Sequence, residues 1–310
     1  MHIDGSAFML DAATCFFDTV RLFGWFHRPG DKLKSVEYVE DDVLAVTSRV
    51  GLRHDGVTAL GSDLGFSVQG LQQHAGFRDR ALLRLTTEGG WRAEVPVVEL
   101  CNERVLGAAA TSLFERFVKE TNAVPGRKIL DLGGRARSGM TVRSRFETKD
   151  YTAFDIIADD GVDVVGDAHE LAQFFPSQYF DVILSTSVFE HLMMPWTVVT
   201  QMNAVLKTGG TAFISTHQTT GMHDMPWDFW RFSDVAWDAL FNKATGFEVI
   251  GRELGSLVHI IPMIWTSEAI DAEYAAGYRA SMVLVRKIGP CRMAWPLRPR
   301  DVTESMYPGK

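Results

Sequence analysis

The sequence has few cysteines, no long apolar run and no excess of positive charge. Its three cysteines, Cys15, Cys101 and Cys291, lie far apart and match no metal-binding spacing. We therefore expect reduced thiols in a cytoplasmic protein. No segment approaches the roughly 18 apolar residues that a membrane span needs, and the acidic N-terminal segment lacks the basic lead of a signal peptide. These absences argue against a membrane span and against export.

Positively charged residues, which nucleic acid attracts, are outnumbered by acidic ones. The chain has 31 Lys and Arg against 39 Asp and Glu, which gives a net charge of −8. Because nucleic-acid binding consists mainly of phosphate neutralisation by clustered basic residues, we expect no nucleic-acid partner. With 310 residues, 46% of them hydrophobic, the chain is long enough for one large or two ordinary domains. The composition leaves the oligomeric state open, including a homo-oligomer.

The sequence pattern changes near residue 100. From about Phe16 to Val98, short runs of alternating, β-branched and aromatic residues are separated by turn residues. This pattern predicts a small antiparallel β-sandwich as an N-terminal domain over 1–100. A helical stripe of apolar residues then predicts a linking helix within 101–126. Several prolines in the last twenty residues predict an irregular tail over 291–310.

Between residues 127 and 290, short apolar runs alternate with helical stretches. Such alternation predicts a doubly wound α/β domain whose ligand lies at the carboxyl ends of parallel strands. The last two strands are expected to form a hairpin. The predicted strands are Ile129–Leu132, Tyr151–Phe154, Val162–Val165, Phe180–Ser185, Thr211–Ser215, Phe247–Leu254 and Ala280–Ile288, with helical stretches at Leu192–Leu206 and Asp234–Lys243.

The most informative motif is RKILDLGGRARSG, residues 127–139. An apolar strand that carries Asp131 breaks at Gly133-Gly134, and a helix-like segment follows at Gly139. Glycines let the backbone approach a ligand closely, and a helix start offers unpaired N–H groups. A second acid, Asp155, ends the next apolar segment 24 residues after the first. An acid at that place binds ribose hydroxyls in doubly wound sheets, so the motif predicts a ligand that contains a nucleoside.

Three runs downstream make this prediction more specific. They are GVDVVGDAHEL at 161–171, FDVILSTSVFEHLMMPW at 180–196 and VLKTGG at 205–210. In this order they resemble class I S-adenosylmethionine-dependent methyltransferases, in particular bacterial O-methyltransferases of sugars and small molecules. The resemblance implies a seven-stranded Rossmann-like sheet and S-adenosylmethionine as the methyl donor. The chain departs from the usual D-x-G-x-G-x-G loop at Arg135 and Arg137, where small residues are expected.

The resemblance also implies a donor site. Asp131 would order the glycine loop and approach the methionine amino group, and Asp155 would accept two ribose hydroxyls. Asp167 would hold adenine together with the N–H of Ala168, although it could equally cap a helix. The residues predicted to bind the cofactor are Asp131, Gly133, Gly134, Gly139, Asp155, Ile156, Asp167, Ala168 and Ser185.

Further polar residues follow the fourth and fifth strands. His191 would face the transferring methyl group and take a proton from an acceptor hydroxyl, while the Glu190-His191 pair leaves a structural role open. Downstream, histidines and aspartates alternate with aromatic residues, which fits either a packed lid or a site for a sugar-like acceptor. No helical histidine spacing supports a metal, so we predict none. The catalytic candidates are His191, His223 and Asp224, and the acceptor-binding candidates are Glu190, His217, Trp227, Asp228, Trp230 and Arg231.

The sequence therefore favours a methyltransferase that acts on a hydroxyl of a sugar, glycan or other small molecule. An alcohol has a very high pKa and gains from a positioned base, so histidines near the acceptor favour a hydroxyl. Two alternatives stay open. One is a glycan- or partner-binding protein whose methyltransferase-like domain has lost turnover through Arg135 and Arg137. The other is an enzyme with a nitrogen or carboxyl acceptor.

Overall fold

The chain divides into two compact units, Met1–Thr111 and Ser112–Lys310. The computed structural model describes residues 1–16, 19–40, 43–72, 81–101, 112–135, 142–260 and 276–303. Across these ranges, helices are too short or too polar to cross a membrane. The division lies close to the change of sequence pattern near residue 100.

The first unit is built from antiparallel strands. In chain order they are β1 His2–Ile3, β2 Ser6–Phe16, β3 Thr19–His27, β4 Leu33–Val39, β5 Val43–Leu52, β6 Gly65–Gln72, β7 Leu82–Thr87 and β8 Arg92–Pro96. One sheet has the order β1-β2-β3-β6-β5 and the other has the order β4-β7-β8. The strands begin before Phe16, because the run of β2 is rich in alanine and carries little of the β-branched signal on which the prediction depended.

The two sheets of the first unit share one apolar core. Along β7 the side chains alternate, so that Leu83 and Leu85 are buried and Arg84 is not. They belong to the same buried cluster as Phe8, Leu22 and other residues of the larger sheet. Sheets that contribute to one cluster pack face to face, in agreement with the predicted all-β unit.

The second unit is a mixed sheet with helices. Its elements are α1 Leu113–Asn122, β9 Ile129–Leu132, β10 Tyr151–Asp155, β11 Val164–Val165, β12 Phe180–Thr186, α2 Pro195–Val205, β13 Leu206–His217, α3 Ala236–Leu240, β14 Phe247–His259 and β15 Ala276–Lys287. The described strands form one sheet in the order β11-β10-β9-β12-β13-β15-β14. Strands β9 to β13 are parallel, and β15 runs antiparallel between β13 and β14. The seven-stranded α/β sheet with its terminal hairpin agrees with the prediction.

Strand β9 lies at the centre of this sheet. Its apolar residues Ile129, Leu130 and Leu132 are at most 1% exposed, because the strand pairs with β10 on one side and β12 on the other. Strand order reverses here, since β10 and β11 continue outward on one side and β12 and β13 on the other. The loops after β9 and β12 therefore part, which leaves a crevice at the carboxyl ends of the strands.

The C-terminal segment packs against the second unit. The indole N–H of Trp295 donates to Sδ of Met194 at 3.2 Å, and its ring lies 5.5 Å from that of Trp196. Arg300 pairs with Glu170 at 3.0 Å, and the adjacent Pro299 is buried. The backbone of 291–303 is mostly irregular, apart from a 3₁₀ turn at Pro299–Asp301, but its side chains take part in the packing.

Each compact unit is expected to fold without the other, because each has an apolar cluster of its own. Residues 1–111 produced alone should be soluble, show β-sheet circular dichroism and unfold cooperatively. Fragment 1–60 lacks β6 to β8 and serves as a control, which should fail to fold. An insoluble or non-cooperative 1–111 fragment would contradict the division.

Candidate active site

A cleft lies at the carboxyl ends of β9, β10 and β12. It contains about 890 Å³ of space when the open mouth is included. Of the residues predicted from sequence, those that line it are Gly133, Asp155, Ile156, Asp167, Ala168, His191 and Trp227. Lining residues that the sequence did not single out as site residues are Leu132, Arg135, Phe154, Gly166, His169, Ser187, Val188, Leu192, Met193 and Pro299.

The glycine pair after β9 permits close packing within the protein. The N–H groups of Gly133 and Gly134 both donate to the carbonyl of Phe154, at 2.7 and 3.1 Å. Gly133 has a φ of +85°, and a Cβ there would overlap Cγ2 of Val188. A Cβ on Gly134 would lie 2.8 Å from that of Ala153. Larger residues would therefore push the loop away from the strand ends that form the cleft wall.

The sequence also singled out Arg135, Arg137 and Gly139, which follow the glycine pair. Gly139 falls outside the described residues, as does Arg137. Arg135 is described, and it lines the cleft beside the glycine pair. Its guanidinium adds a positive charge to a wall that also carries the carboxylates of Asp155 and Asp167.

Asp131 lies below the cleft floor, within β9. It is 7% exposed, and Oδ2 accepts a hydrogen bond from the Tyr151 hydroxyl at 2.6 Å. Burial raises its pKa to about 6, with the charge of Asp155 adding to the effect and the Tyr151 hydrogen bond opposing it. A nearby cation, such as the ammonium that the resemblance places here, would favour the ionised form.

Asp155 ends β10 at the cleft wall. Its Oδ1 accepts from the N–H of Ile157 at 3.0 Å, which fixes the carboxylate against the following turn. Its Oδ2 accepts no hydrogen bond from the described residues. The carboxylate therefore keeps capacity to accept hydroxyl donors from a ligand, and the neighbouring Ile156 supplies apolar surface.

Asp167 caps the 3₁₀ segment Ala168–Gln173. Its Oδ1 accepts from the backbone N–H of His169 at 2.9 Å and from the ring Nδ1 at 2.7 Å. Burial by itself would raise the pKa of Asp167, but these bonds outweigh it and hold the pKa below its usual range. The capping role therefore holds, and Oδ2 is left for a ligand.

His169 connects this cap to the start of α2. Its Nε2 accepts from the N–H of Met194 at 3.2 Å, so the ring proton lies on Nδ1, facing Asp167. The side chain is 7% exposed. In the sequence, a histidine two residues after a capping acid can indicate this contact. The start of a helix accounts for the same two residues, so the contact could not be inferred.

Ser185 does not line the cleft. It is fully buried within β12, where it pairs with Leu132 and Ile214. The strand continues one residue beyond the predicted end, and Ser187 and Val188 form the wall instead. The cofactor role predicted for Ser185 has no support in this placement.

A group of acids and histidines lies beside the cleft, and we call it the histidine cluster: Glu190, His191, His217, His223 and Asp224. Glu190 is fully buried, and its Oε2 accepts from the Thr216 hydroxyl. Its Oε1 lies 3.0 Å from Nδ1 of His217 and 4.0 Å from Nε2 of His191. Oδ2 of Asp224 lies 3.9 Å from Nε2 of His191. The ring of His223 stands edge-on to both other rings, 5.0 and 4.9 Å away.

Hydrogen bonds orient the rings of this cluster. Nδ1 of His191 donates to the Trp227 carbonyl at 2.6 Å, so the lone pair of the neutral ring lies on Nε2. Burial lowers the pKa of His217, against the raising effect of the Glu190 charge. The neutral form of His217 is thereby favoured at neutral pH.

Asp228 and Arg231 hold the loop that carries these residues. The buried Asp228 carboxylate accepts from two guanidinium nitrogens at 2.6 and 2.7 Å and from the N–H of His223 at 2.9 Å. The Arg231 bonds in particular keep the pKa of Asp228 well below its usual range. Arg231 also donates to the carbonyls of Thr220 and Gly221. These contacts are structural, and binding of an acceptor by either residue stays a prediction.

The two predicted tryptophans differ in position. Trp227 is 6% exposed and lines the cleft. Trp230 is 36% exposed, and its indole N–H donates to the Leu192 carbonyl at 2.8 Å. Trp227 is therefore the aromatic surface that a ligand in the cleft meets.

Residues 103–252 match the family model described as a methyltransferase domain. The matched segment is a little under half of the chain and contains the glycine pair, the cleft acids and the histidine cluster. It confirms the predicted class of enzyme, a methyltransferase, for which S-adenosylmethionine is the expected methyl donor.

Some solved structures are similar to the chain at low identity. An S-adenosylmethionine-dependent methyltransferase from Archaeoglobus fulgidus is 16% identical, covers 62% of this chain and 100% of its own, and has a TM-score of 0.39. One from Mesorhizobium loti is 16% identical, covers 59% and 100%, and has a TM-score of 0.37. Among curated proteins, none matches the chain in sequence.

Replacing Asp155 with alanine should weaken S-adenosylmethionine binding by about 1.5–3 kcal/mol, the range for hydrogen bonds to a charged group. The fold should persist, because the side chain accepts one hydrogen bond from the described residues, the N–H of Ile157 in the following turn. Isothermal titration calorimetry measures the affinity, and Asp160→Ala, an exposed acid in the same turn, is the control. A folded Asp155→Ala variant with unchanged affinity would show that the ribose lies elsewhere.

Replacing Asp131 with asparagine should stabilise the ligand-free protein at neutral pH. A carboxyl with a pKa of about 6 when folded and about 3.8 in its ordinary state binds its proton more tightly in the folded protein. Its ionisation therefore costs stability as the pH rises from about 4 to about 6. The gain from the substitution should reach at most about 2–3 kcal/mol above that window.

The gain should shrink as the pH falls toward 4, because the carboxyl is then neutral in both states. Urea unfolding at about pH 4.5 and 7.5 measures it, and the exposed Asp150→Asn variant is the control. An equal effect at both pH values would rule out ionisation as its cause.

Proposed function

We propose that this protein transfers the methyl group of S-adenosylmethionine to a hydroxyl of a sugar, glycan or other small hydroxylated molecule. The observation that carries this proposal is the position of His191. It lines the same cleft as the two acids suited to the donor, and its Nε2 is oriented as a proton acceptor by the Trp227 carbonyl.

The residues at the ends of β10 and β11 fit the donor. Asp155 and Asp167 each keep a carboxylate oxygen that the described residues do not occupy, and apolar side chains such as Phe154 and Ile156 lie beside them. Hydroxyl and amino donors on an otherwise apolar ligand match that arrangement. When bound, S-adenosylmethionine supplies an activated methyl group on a positively charged sulfur.

The protein's remaining task is to align the acceptor, exclude water and remove a proton. A hydroxyl must lose its proton as the new bond forms, and His191 can take it at Nε2. Glu190 and Asp224 lie 4.0 and 3.9 Å from that nitrogen. These distances are too long for hydrogen bonds, and both carboxylates face the nitrogen that would take the proton.

The charges around the cluster favour a hydroxyl over a carboxylate acceptor. A carboxylate needs no base, and Glu190 and Asp224 would repel it. Arg231, the basic residue of the loop, is already bound by Asp228 through two hydrogen bonds. A neutral, hydroxylated acceptor meets no such repulsion, and Trp227 offers it an aromatic face.

Replacing His191 with alanine should reduce turnover at least about a hundredfold while S-adenosylmethionine affinity stays close to wild type. The reason is positional, because the donor is held from β10 and β11 and the histidine follows β12. The measurement is the formation of S-adenosylhomocysteine with each of a panel of sugars, amines and carboxylic acids as the acceptor. The control variant is His54→Ala in the first unit.

The panel also tests the acceptor class. Methylation of hydroxyl compounds alone would support the proposal, whereas methylation of only amines or carboxylates would overturn it. A His191→Ala variant that keeps most of its turnover would exclude His191 as the proton acceptor. Absence of heat with millimolar S-adenosylmethionine would contradict an active enzyme altogether.

A further inference from the structure

We infer that the histidine cluster binds a divalent transition-metal ion, with Zn²⁺ the best match, through Glu190, His191 and His223. The side chains of these three residues place one ligand atom each within 4.8 Å of one another. They come from the turn after β12 and from the loop after β13. His217, at the end of β13, faces the same carboxylate and can supply a fourth ligand.

The hydrogen bonds of His191 and His223 are of the kind that metal-binding histidines make. A histidine that binds a metal usually donates its other ring N–H to a carbonyl or carboxylate. Nδ1 of His191 does so to Trp227, and Nδ1 of His223 lies 3.2 Å from the Gly221 carbonyl and 3.4 Å from Oδ2 of Asp228. The Nε2 atom of each ring lies on the side away from these acceptors, and for His191 that is the side of Glu190 and Asp224.

The second observation is an unsatisfied carboxylate oxygen. Glu190 is fully buried, and its Oε1 accepts no hydrogen bond from the described residues. Nδ1 of His217 lies 3.0 Å away, but it too lacks a hydrogen bond. A buried carboxylate oxygen that accepts no hydrogen bond is costly. A cation between these groups would satisfy the oxygen and the nitrogen together.

The donor set selects the kind of metal. Imidazole nitrogens with a single carboxylate suit zinc and its neighbours in the transition series, whereas Mg²⁺ and Ca²⁺ prefer oxygen ligands. Zinc binds such ligands at about 2.0–2.2 Å, so the donor atoms would lie roughly 3.3–3.5 Å apart. The separations here are longer, 4.0 Å between Glu190 and His191 and at most 4.8 Å within the group, so the ligands have to approach one another by up to about 1.5 Å.

This inference rests on the proposed function and refines its chemistry. Next to a divalent ion the acceptor O–H bond breaks more readily, because the positive charge lowers the pKa of the hydroxyl. Its proton passes to solvent water, and the oxygen's electron pair forms the bond to the methyl carbon. The carbon–sulfur bond breaks with its pair on sulfur. In the metal-bound enzyme His191 is a ligand through Nε2, so the ion and solvent take over its role as proton acceptor. The loss of turnover expected in His191→Ala then comes with weaker binding of the ion.

The test uses the full chain freed of metal by a chelator and titrated with Zn²⁺ alone. Wild type and the His54→Ala control should bind one equivalent with the same affinity. Glu190→Gln and His223→Ala should each weaken binding at least about tenfold. Co²⁺ in place of Zn²⁺ should give visible absorption bands of a low-coordinate site, and these should be lost in His223→Ala.

Several results would overturn the inference: less than one equivalent of Zn²⁺ bound, or equal affinity in wild type and His223→Ala. Because Glu190 is buried, Glu190→Gln counts only if its circular dichroism matches wild type, and the half-buried His223 carries the test otherwise. Undiminished hydroxyl methylation by the metal-free enzyme would refute a role for the ion in the reaction but keep the proposed function. Tight Zn²⁺ binding without hydroxyl methylation would keep the metal site but refute the proposed function.

Discussion

The buried Glu190 is the constraint on which the acceptor side of the second unit depends. Its backbone carbonyl accepts from the N–H groups of Phe229 and Trp230, at 2.8 and 3.2 Å, and its side chain accepts from Thr216. One residue thereby connects the turn after β12, the end of β13 and the following loop. A charged group withdrawn from water in this way needs compensating partners, which explains why histidines surround it.

The two sides of the cleft are built by different means. The donor side depends on strand ends, where the glycine pair is bound to the Phe154 carbonyl and the Asp167 cap is held by His169. The acceptor side depends on a loop whose shape is set by the Asp228–Arg231 pair. A rigid strand edge suits a constant cofactor, and a loop held by side chains can change its acceptor without change to the sheet.

Much of the donor side could be predicted from sequence, because its residues follow short apolar strands that local pattern identifies. Asp155 and Asp167 line the cleft as predicted, and β9 to β15 occur where the pattern placed them. Errors arose at element ends. Ser185 was assigned to the cleft, yet the strand runs on and Ser187 takes that place. Pro299 was missed because the residues it meets in the cleft are distant in sequence, and His169 was missed because a helix start accounts for the same residues.

The sequence by itself determined the alternation of strands and helices, the glycine turn and the acids that end the strands. Each of these depends on hydrophobic period and backbone conformation over a few residues. Only the tertiary structure decided that Glu190, His191, His217 and His223 meet. The two segments lie 26 or more residues apart, and they join because β12 pairs with β13. The prediction of no metal considered spacing along one helix, whereas the ligands of the proposed metal site follow two neighbouring strands, which leaves no regular spacing to detect.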